Sequence, residues 1–363
     1  VLVENLTTKL NQESELVHAV VAPRMNEERN DEFWVGNTQV FSVDAPDPLQ
    51  YAHYSKPLEA LITERKLLAS VLLKVRRIVD RCQPRLIHIH GFSLIGYTAS
   101  AVAEIQQVPY VMHVHGSVED VTSTRMKHQV QKAVAVICVS ESVRLSVVEE
   151  TGRSKDVMVI RNGHNDSAKI VGSRKHHEIR DSIVMVGRLE PSKGFDYALR
   201  ALAPMIAVYP DLSIDIVGVG REDEKLEVLV SQLGIGSSVT FHGRLDHDET
   251  LDLLNESICV VVPSIAYEGF SLVALESAQL ERPVVASNVG GLPETVLDGI
   301  TGTIVDPLKE GAIAEAVRNY LLNPELAHIH GTRARERALT EFSMDRMVQE
   351  IQEIHSNVLG VTK

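Results

Sequence analysis

The sequence predicts an α/β protein built from two doubly wound parallel-sheet domains in tandem, and three observations carry that expectation. Short apolar runs alternate with helix-length amphipathic stretches along most of the 363 residues, the alternation that parallel strands with right-handed crossovers require. The length exceeds what one ordinary core accommodates. A charged stretch at 166–180 (D-S-A-K-I-V-G-S-R-K-H-H-E-I-R) lacks apolar periodicity and divides the runs into two series. The expected division is 1–165, then 166–340, with a terminal helix at 341–363 crossing back onto the first domain.

The opening V-L-V-E-N-L-T-T-K-L-N-Q reads as an amphipathic helix already under way. A doubly wound domain starts on a strand, so a strand is expected to precede residue 1 in the natural protein. Strands follow at 16–22 and 39–43, with a polar segment between. A long helix spans about 56–81, its apolar positions recurring at three and four residues. Lys74, Arg76, Arg77, Arg81 and Arg85 cluster at its end. They read as a solvated face that suits a helix C-terminus, or as a patch for an anionic acceptor or a membrane surface. Strands at 86–91 (L-I-H-I-H-G) and 110–116 (Y-V-M-H-V-H-G) each place two histidines on one face. His88 and His113 are expected to be satisfied core residues. His115, beside a glycine at a strand end, is the better functional candidate. Zinc is disfavoured there, because neither strand carries a carboxylate or thiol ligand. Strands at 134–139 and 157–160 complete the first domain.

The second series runs strand 183–186, helix 196–208, strand 213–217, helix 223–233, strand 238–241, helix 249–254. It ends in V-V-V-P-S-I-A-Y-E-G-F-S-L-V-A-L-E-S-A-Q-L-E-R-P-V-V-A-S-N-V-G-G at 260–291. That stretch reads as a buried strand, a loop carrying Glu268, Gly269 and Ser271, a helix starting near Ser271 with Glu276 more than one turn in, and a second strand ending in Gly290 and Gly291. Free N–H groups and the positive dipole end of the helix face the loop, where a phosphate would sit.

Composition narrows the partners. Net charge is −13; residues 1–170 carry 19 Lys+Arg against 20 Asp+Glu, and 171–363 carry 17 against 29. An acidic second half excludes nucleic acid as a natural partner. No apolar run approaches the roughly 18 residues of a membrane span, leaving at most peripheral membrane contact. Cys82, Cys138 and Cys259 are isolated within apolar segments and read as buried thiols of a reducing, cytoplasmic compartment, possession of the inner membrane face being left open.

Gly187-Arg188-Leu189-Glu190-Pro191-Ser192-Lys193-Gly194 joins the first strand of the second domain to its helix. Arg188 and Lys193 there would offset the charge of a diphosphate; alone, the loop also reads as ordinary surface charge. Gly218-Val219-Gly220 opens like a dinucleotide fingerprint, but Asp223 stands where the third glycine belongs, which disfavours a nicotinamide enzyme. Close approach of a nucleotide to Gly218 is still compatible, and His242 would form a wall for a base. Glu268 and Glu276 repel phosphate but accept strongly from hydroxyls, so ribose or hexose hydroxyls are their fitting partners.

Taken together, V-G-R-L-E-P-S-K-G, V-G-V-G, the E-x7-E element from Glu268 to Glu276, G-G-L-P-E, T-G-T-I-V-D-P, H-V-H-G and V-I-R-N-G resemble the retaining, nucleotide-sugar-dependent glycosyltransferases of family 4. The resemblance implies the GT-B fold of two Rossmann-like domains facing a central cleft. It implies that Arg188 and Lys193 hold the donor diphosphate and stabilise the leaving group without a metal or other cofactor. Glu276 would bind ribose, Glu268 the donor sugar, and His115 the sugar from the other domain. Gly187, Gly218, His242, Gly269 and the N–H groups of Phe270, Ser271 and Leu272 would complete donor binding. The family often has glycine where Ser271 stands, a mild change if backbone makes the contact. The family's first strand and glycine-rich loop would lie before Val1, which puts activity of the 363-residue form in question. A nucleotide-sugar epimerase, a sugar phosphorylase and a catalytically silent binding protein are the rival readings; sugar, base and acceptor are not legible.

Overall fold

A computed structural model describes residues 6, 9, 10, 19–23, 32–35, 38–43, 58–116, 124–168, 179–309 and 311–360. The chain divides into two compact units. The first takes the described residues up to Val139, Val143–Ile160 and the chain from Met347 on; the second takes Ser140–Ser142 and Arg161–Arg346.

In the first unit, β1 (Ala19–Pro23) pairs in parallel with β3 (Thr38–Val43), and β2 (Glu32–Val35) pairs antiparallel with β3. The segment expected to be polar connection thus contributes a strand, E-F-W-V, too short for its alternation to stand out. Helix α1 (Leu58–Cys82) buries Val71, Val75 and Val79, spaced by four, against Ile95 and Val102 of α2 (Leu94–Gln106). A second sheet is wholly parallel, in the order β4 (Ile87–His90), β5 (Tyr110–Val114), β6 (Ala135–Cys138), β7 (Val157–Val159). Helices α3 (Thr124–Lys132) and α4 (Glu141–Thr151) lie between its strands in the chain.

The second unit holds one six-stranded parallel sheet. Its strands are β8 (Arg180–Val186), β9 (Ser213–Val217), β10 (Val239–Gly243), β11 (Ser257–Val262), β12 (Val284–Ser287) and β13 (Gly302–Val305). They run in the order β10-β9-β8-β11-β12-β13. The direction of winding reverses between β8 and β11, and the carboxyl ends of those two strands open the crevice where ligands of such sheets sit.

Both faces of this sheet are covered. All six residues of β11 are buried, with Cys259 and Val261 turned to one core and Val260 and Val262 to the other. Helices α5 (Phe195–Val208), α6 (Asp223–Gln232) and, later in the chain, Ala312–Leu322 supply the first core through Leu199, Leu202, Leu229 and Val317. Helices α7 (His247–Glu256) and α8 (Leu272–Gln279) supply the second through Leu251, Leu254 and Ala274. Each full burial of such a side chain stabilises by about 1.5–3 kcal/mol, which fixes the register of β8 against β11. The remaining helices are α9 (Leu292–Thr295), α10 (the Ala312–Leu322 helix), α11 (Pro324–Glu341) and α12 (Met344–Leu359).

Two expectations are corrected. Cys82 is exposed at the end of α1, where the helix face turns to solvent; only Cys138 and Cys259 are buried, and burial pushes the Cys259 thiol up to about 12. His113 is not a satisfied core histidine: it is fully buried, yet neither ring nitrogen has a hydrogen-bond partner. The cause is register. His90 lies directly across from His113, so alternation brings His88, His90, His113 and His115 onto one face. Their rings stack, with centroids 4.4 Å apart for His113–His115 and 4.5 Å for His88–His90. His90 Nδ1 and His115 Nε2 are 3.0 Å apart, and His88 Nδ1 lies 3.0 Å from His355 Nε2 on α12. Among the described residues, no helix is long and apolar enough to cross a membrane.

Candidate active site

Two loops meet at the switch point of the second unit. The first, 187–194, leaves β8. Gly187 N–H donates to Val217 O at 3.0 Å and Leu189 N–H to Val219 O at 3.1 Å, holding this loop against the turn after β9. Gly218 has φ +140°, and a Cβ there would strike the Gly187 carbonyl, so only glycine lets the two turns approach. A short 3-10 turn, Pro191–Lys193, then sets Lys193 before α5. The second loop follows β11, and Ile265 N–H donates to Ser192 O at 3.0 Å, tying the loops together.

Across this junction Lys193 Nζ lies 2.5 Å from Glu268 Oε2, with both side chains mostly buried. Ser264 Oγ donates to the same oxygen at 3.0 Å. Glu268 is further fixed through its backbone, whose carbonyl accepts from Gly291 N–H at 2.7 Å. Cβ atoms on Gly290 and Gly291 would collide with the carbonyls of Glu268 and Gly269. The glycine pair therefore clamps the carboxylate loop. Arg188 is exposed on the 187–194 loop, and no carboxylate pairs with it among the described residues.

Ser271 caps α8: its Oγ accepts from Ala274 N–H at 3.2 Å. The earlier first-turn N–H groups, Leu272 and Val273, have no acceptor within the helix, and Gly269 and Phe270 lead into this turn. One turn further, Glu276 is buried, and burial pushes its carboxyl up to about 7. His164 Nε2 stands 3.5 Å and His247 Nδ1 3.8 Å from its Oε1. At the sheet edge His242 Nε2 meets Asp215 Oδ1 at 2.6 Å.

The fold thus gathers Gly187, Arg188, Lys193, Glu268, Gly269, Phe270 and Ser271 on the loops after β8 and β11, and Leu272 and Glu276 on α8, with Gly218 just after β9 and His242 near the end of β10. His115 belongs to the first unit, just past β5, and burial lowers its imidazole to about 4, so it is uncharged at neutral pH. Sequence reasoning missed Ser264, His164 and His247. Ser264 was within reach, since it lies four residues before Glu268 in the same loop. The two histidines are distant in sequence from Glu276, and only the sheet topology brings them to it.

By fold and by the position of these side chains, the second unit is an α/β domain with its polar chemistry gathered at the switch-point crevice. Comparison with known proteins names the class more closely. The family described as "Glycosyl transferases group 1" matches residues 167–337, and "Glycosyltransferase Family 4" matches residues 17–168. Glycogen synthase of Mycobacterium tuberculosis is 30% identical over 286 residues, covering 75% of this chain and 69% of that protein. The α-D-kanosaminyltransferase of Streptomyces kanamyceticus is 24% identical over 299 residues, covering 75% and 76%. Among solved structures, sucrose-phosphate synthase from Thermosynechococcus elongatus superposes with a TM-score of 0.80 at 22% identity, over 99% of this chain and 93% of that one. Anabaena HepE in complex with UDP-glucose gives 0.70 at 23% identity, over 88% and 86%. The chain belongs to the family 4 glycosyltransferases, with the GT-B fold, and is a glycosyltransferase.

Proposed function

We propose that this glycosyltransferase moves a hexose-type sugar from a nucleoside-diphosphate sugar to a hydroxyl acceptor with retention of anomeric configuration. The observation that carries the reading is the Lys193–Glu268 pair at the switch point, with the N-terminus of α8 beside it and Glu276 one turn inside. A cation, unpaired helix N–H groups and two carboxylates match, in turn, a diphosphate and two sets of hydroxyls.

In this reading Lys193 turns from Glu268 to the donor diphosphate, joined by Arg188, and both stabilise the charge that gathers on the leaving phosphate. Glu268, released from Lys193 but still held by Ser264, accepts from hydroxyls of the transferred sugar. Backbone N–H groups of the Gly269–Leu272 stretch meet phosphate or sugar oxygens. Glu276 accepts from the ribose, with Gly187, Gly218 and His242 bounding the nucleoside. The anomeric C–O bond to phosphate breaks with its electron pair passing to the phosphate oxygen. The acceptor oxygen bonds to that carbon on the same face, and its proton passes to the departing phosphate. The two cations stand where a metal would otherwise serve, so the proposed step needs none.

HepE was solved with UDP-glucose, which makes a UDP-linked hexose the first donor to try. A thermal-shift screen of UDP-, GDP- and ADP-sugars tests the donor reading. A true donor at about 100 times its Kd stabilises by about 2.7 kcal/mol. If no sugar nucleotide shifts the melting of a folded sample, the donor assignment is wrong.

A further inference from the structure

The Glu276 region contains more than a carboxylate suited to ribose. The segment after Arg161 is pinned to α8: Ser167 donates from N–H and Oγ to Gln279 Oε1 at 3.1 and 2.7 Å, and Arg335 pairs with Asp166 at 3.1 Å. Gln279 and Glu276 are three apart and share a helix face, so this anchoring holds His164 beside Glu276. His164 is buried. Its Nδ1 lies 2.8 Å from the carbonyl of Asn165; a carbonyl only accepts, so Nδ1 carries the hydrogen. In the neutral ring, Nε2 is then a bare lone pair. It is buried, has no hydrogen-bond partner, and stands 3.5 Å from Glu276 Oε1. Two acceptor atoms facing each other at that distance call for a proton or a cation between them.

His247 tips the balance towards a cation. It is the first residue of α7, fixed by a capping box in which Asp246 Oδ1 accepts from Glu249 N–H at 2.8 Å and Glu249 Oε2 accepts from Asp246 N–H at 3.0 Å. Its Nδ1 is 3.8 Å from the same Glu276 oxygen, and the three ligand atoms all lie within 4.8 Å of one another. Bonds of about 2.0–2.2 Å in a tetrahedron place ligand atoms about 3.4 Å apart. The His247 side chain is 36% exposed, so a small rotation closes the remaining gap. The backbone-bonded Nδ1 of His164 is also the outer hydrogen bond that fixes the tautomer of a metal-ligating histidine.

We propose that His164 Nε2, His247 Nδ1 and Glu276 Oε1 form a binding site for a divalent transition metal of the zinc class. Two imidazoles and one carboxylate suit zinc or cobalt over magnesium or calcium, which prefer all-oxygen sets. The bound ion takes the Glu276 oxygen assigned above to the ribose. Metal and donor then exclude each other, and the site is inhibitory rather than catalytic; this consequence rests on the proposed donor reading, whereas the metal site does not.

The test is titration of the untagged chain with Co2+, read by the visible absorption of four-coordinate cobalt, in wild type, His247→Ala and His164→Val. His88, His90 and His113 also bring ligand atoms together in the first unit, so the readout is the difference between wild type and variants. His247 is partly covered, so circular dichroism checks that both variants fold. The expected result is a saturable cobalt band in wild type whose affinity falls at least about tenfold in folded His247→Ala and in folded His164→Val, no less than the loss of an outer partner alone costs. No saturable band in wild type, or an unchanged titration in His247→Ala, overturns the proposal.

Discussion

Acid should unfold the first unit before the second, and the histidine stack sets the size of the effect. Burial, reinforced for His90 and His113 by the neighbouring imidazoles, lowers His90 to about 3 and His115 to about 4, and takes His113 well below its usual 6.5. Unfolded, each regains a pKa near 6.5. The unfolded chain therefore binds more protons between about 4 and 6.5, and stability falls as pH drops through that window. At one unit below 6.5 each histidine costs about 1.4 kcal/mol, and the three together about 4 kcal/mol, a large share of an ordinary domain's stability. In the second unit burial also lowers His164 and His330, which adds to the acid sensitivity there, while Glu276 works in the opposite sense and offsets it. Its folded pKa of about 7 lies above the usual 4.5, so the folded state keeps the proton and stability falls as pH rises between those values. The single tryptophan, Trp34, lies on β2 of the first unit and reports its unfolding. Urea titrations by tryptophan fluorescence at about pH 5.5 and 7.5 should differ by about 4 kcal/mol. His113→Phe, which keeps an aromatic ring in the stack and removes the titrating group, should recover about a third of that difference where the variant folds. Equal midpoints at the two pH values, or a wild-type acid dependence in folded His113→Phe, would refute the reasoning.

Further outcomes concern the crevice. Lys193→Ala and Glu268→Gln should each lower kcat about 10²–10³-fold, the scale of losing one preorganised charge contact, with far-UV circular dichroism unchanged; nucleoside diphosphate release measures it. Ser264→Ala removes one hydrogen bond to the Glu268 carboxylate and should lower kcat/KM about 10- to 100-fold, the scale of the 1.5–3 kcal/mol of bonds to charged groups. Gly291→Ala forces a methyl against the Gly269 carbonyl. It should destabilise by about 1–3 kcal/mol, seen as a lower Tm, and reduce transfer by shifting the Glu268 loop.

The second unit was legible in sequence because its strands are buried on both faces. V-V-V at 260–262 and V-V-A at 284–286 leave little choice but parallel core strands, and Ser271 before an apolar stretch marks a helix start. The placement of Arg188, Lys193, Glu268 and Glu276 beside the crevice was legible because each sits in a loop or helix adjoining such a strand. What escaped depended on distance. His164, His247 and Glu276 converge only once winding places the 161–168 segment and the start of α7 against α8. The role of Gly290 and Gly291 escaped too, since a sequence shows that a close approach is permitted and not what approaches. In the first unit, alternation predicted that paired histidines share a face. The register that opposes His90 to His113 was needed to see one continuous stack, and β2 was too short to rise above its polar surroundings.

Retention in transfer from a sugar nucleotide is the central claim, and proton NMR of donor turnover with water as the acceptor tests it without knowledge of the natural acceptor. Incubation with the α-linked sugar nucleotide selected by thermal shift should release nucleoside diphosphate and first yield the α-anomer of the free sugar, before mutarotation. The β-anomer appearing first, or intact donor after incubation with folded protein for every sugar nucleotide, would contradict the account.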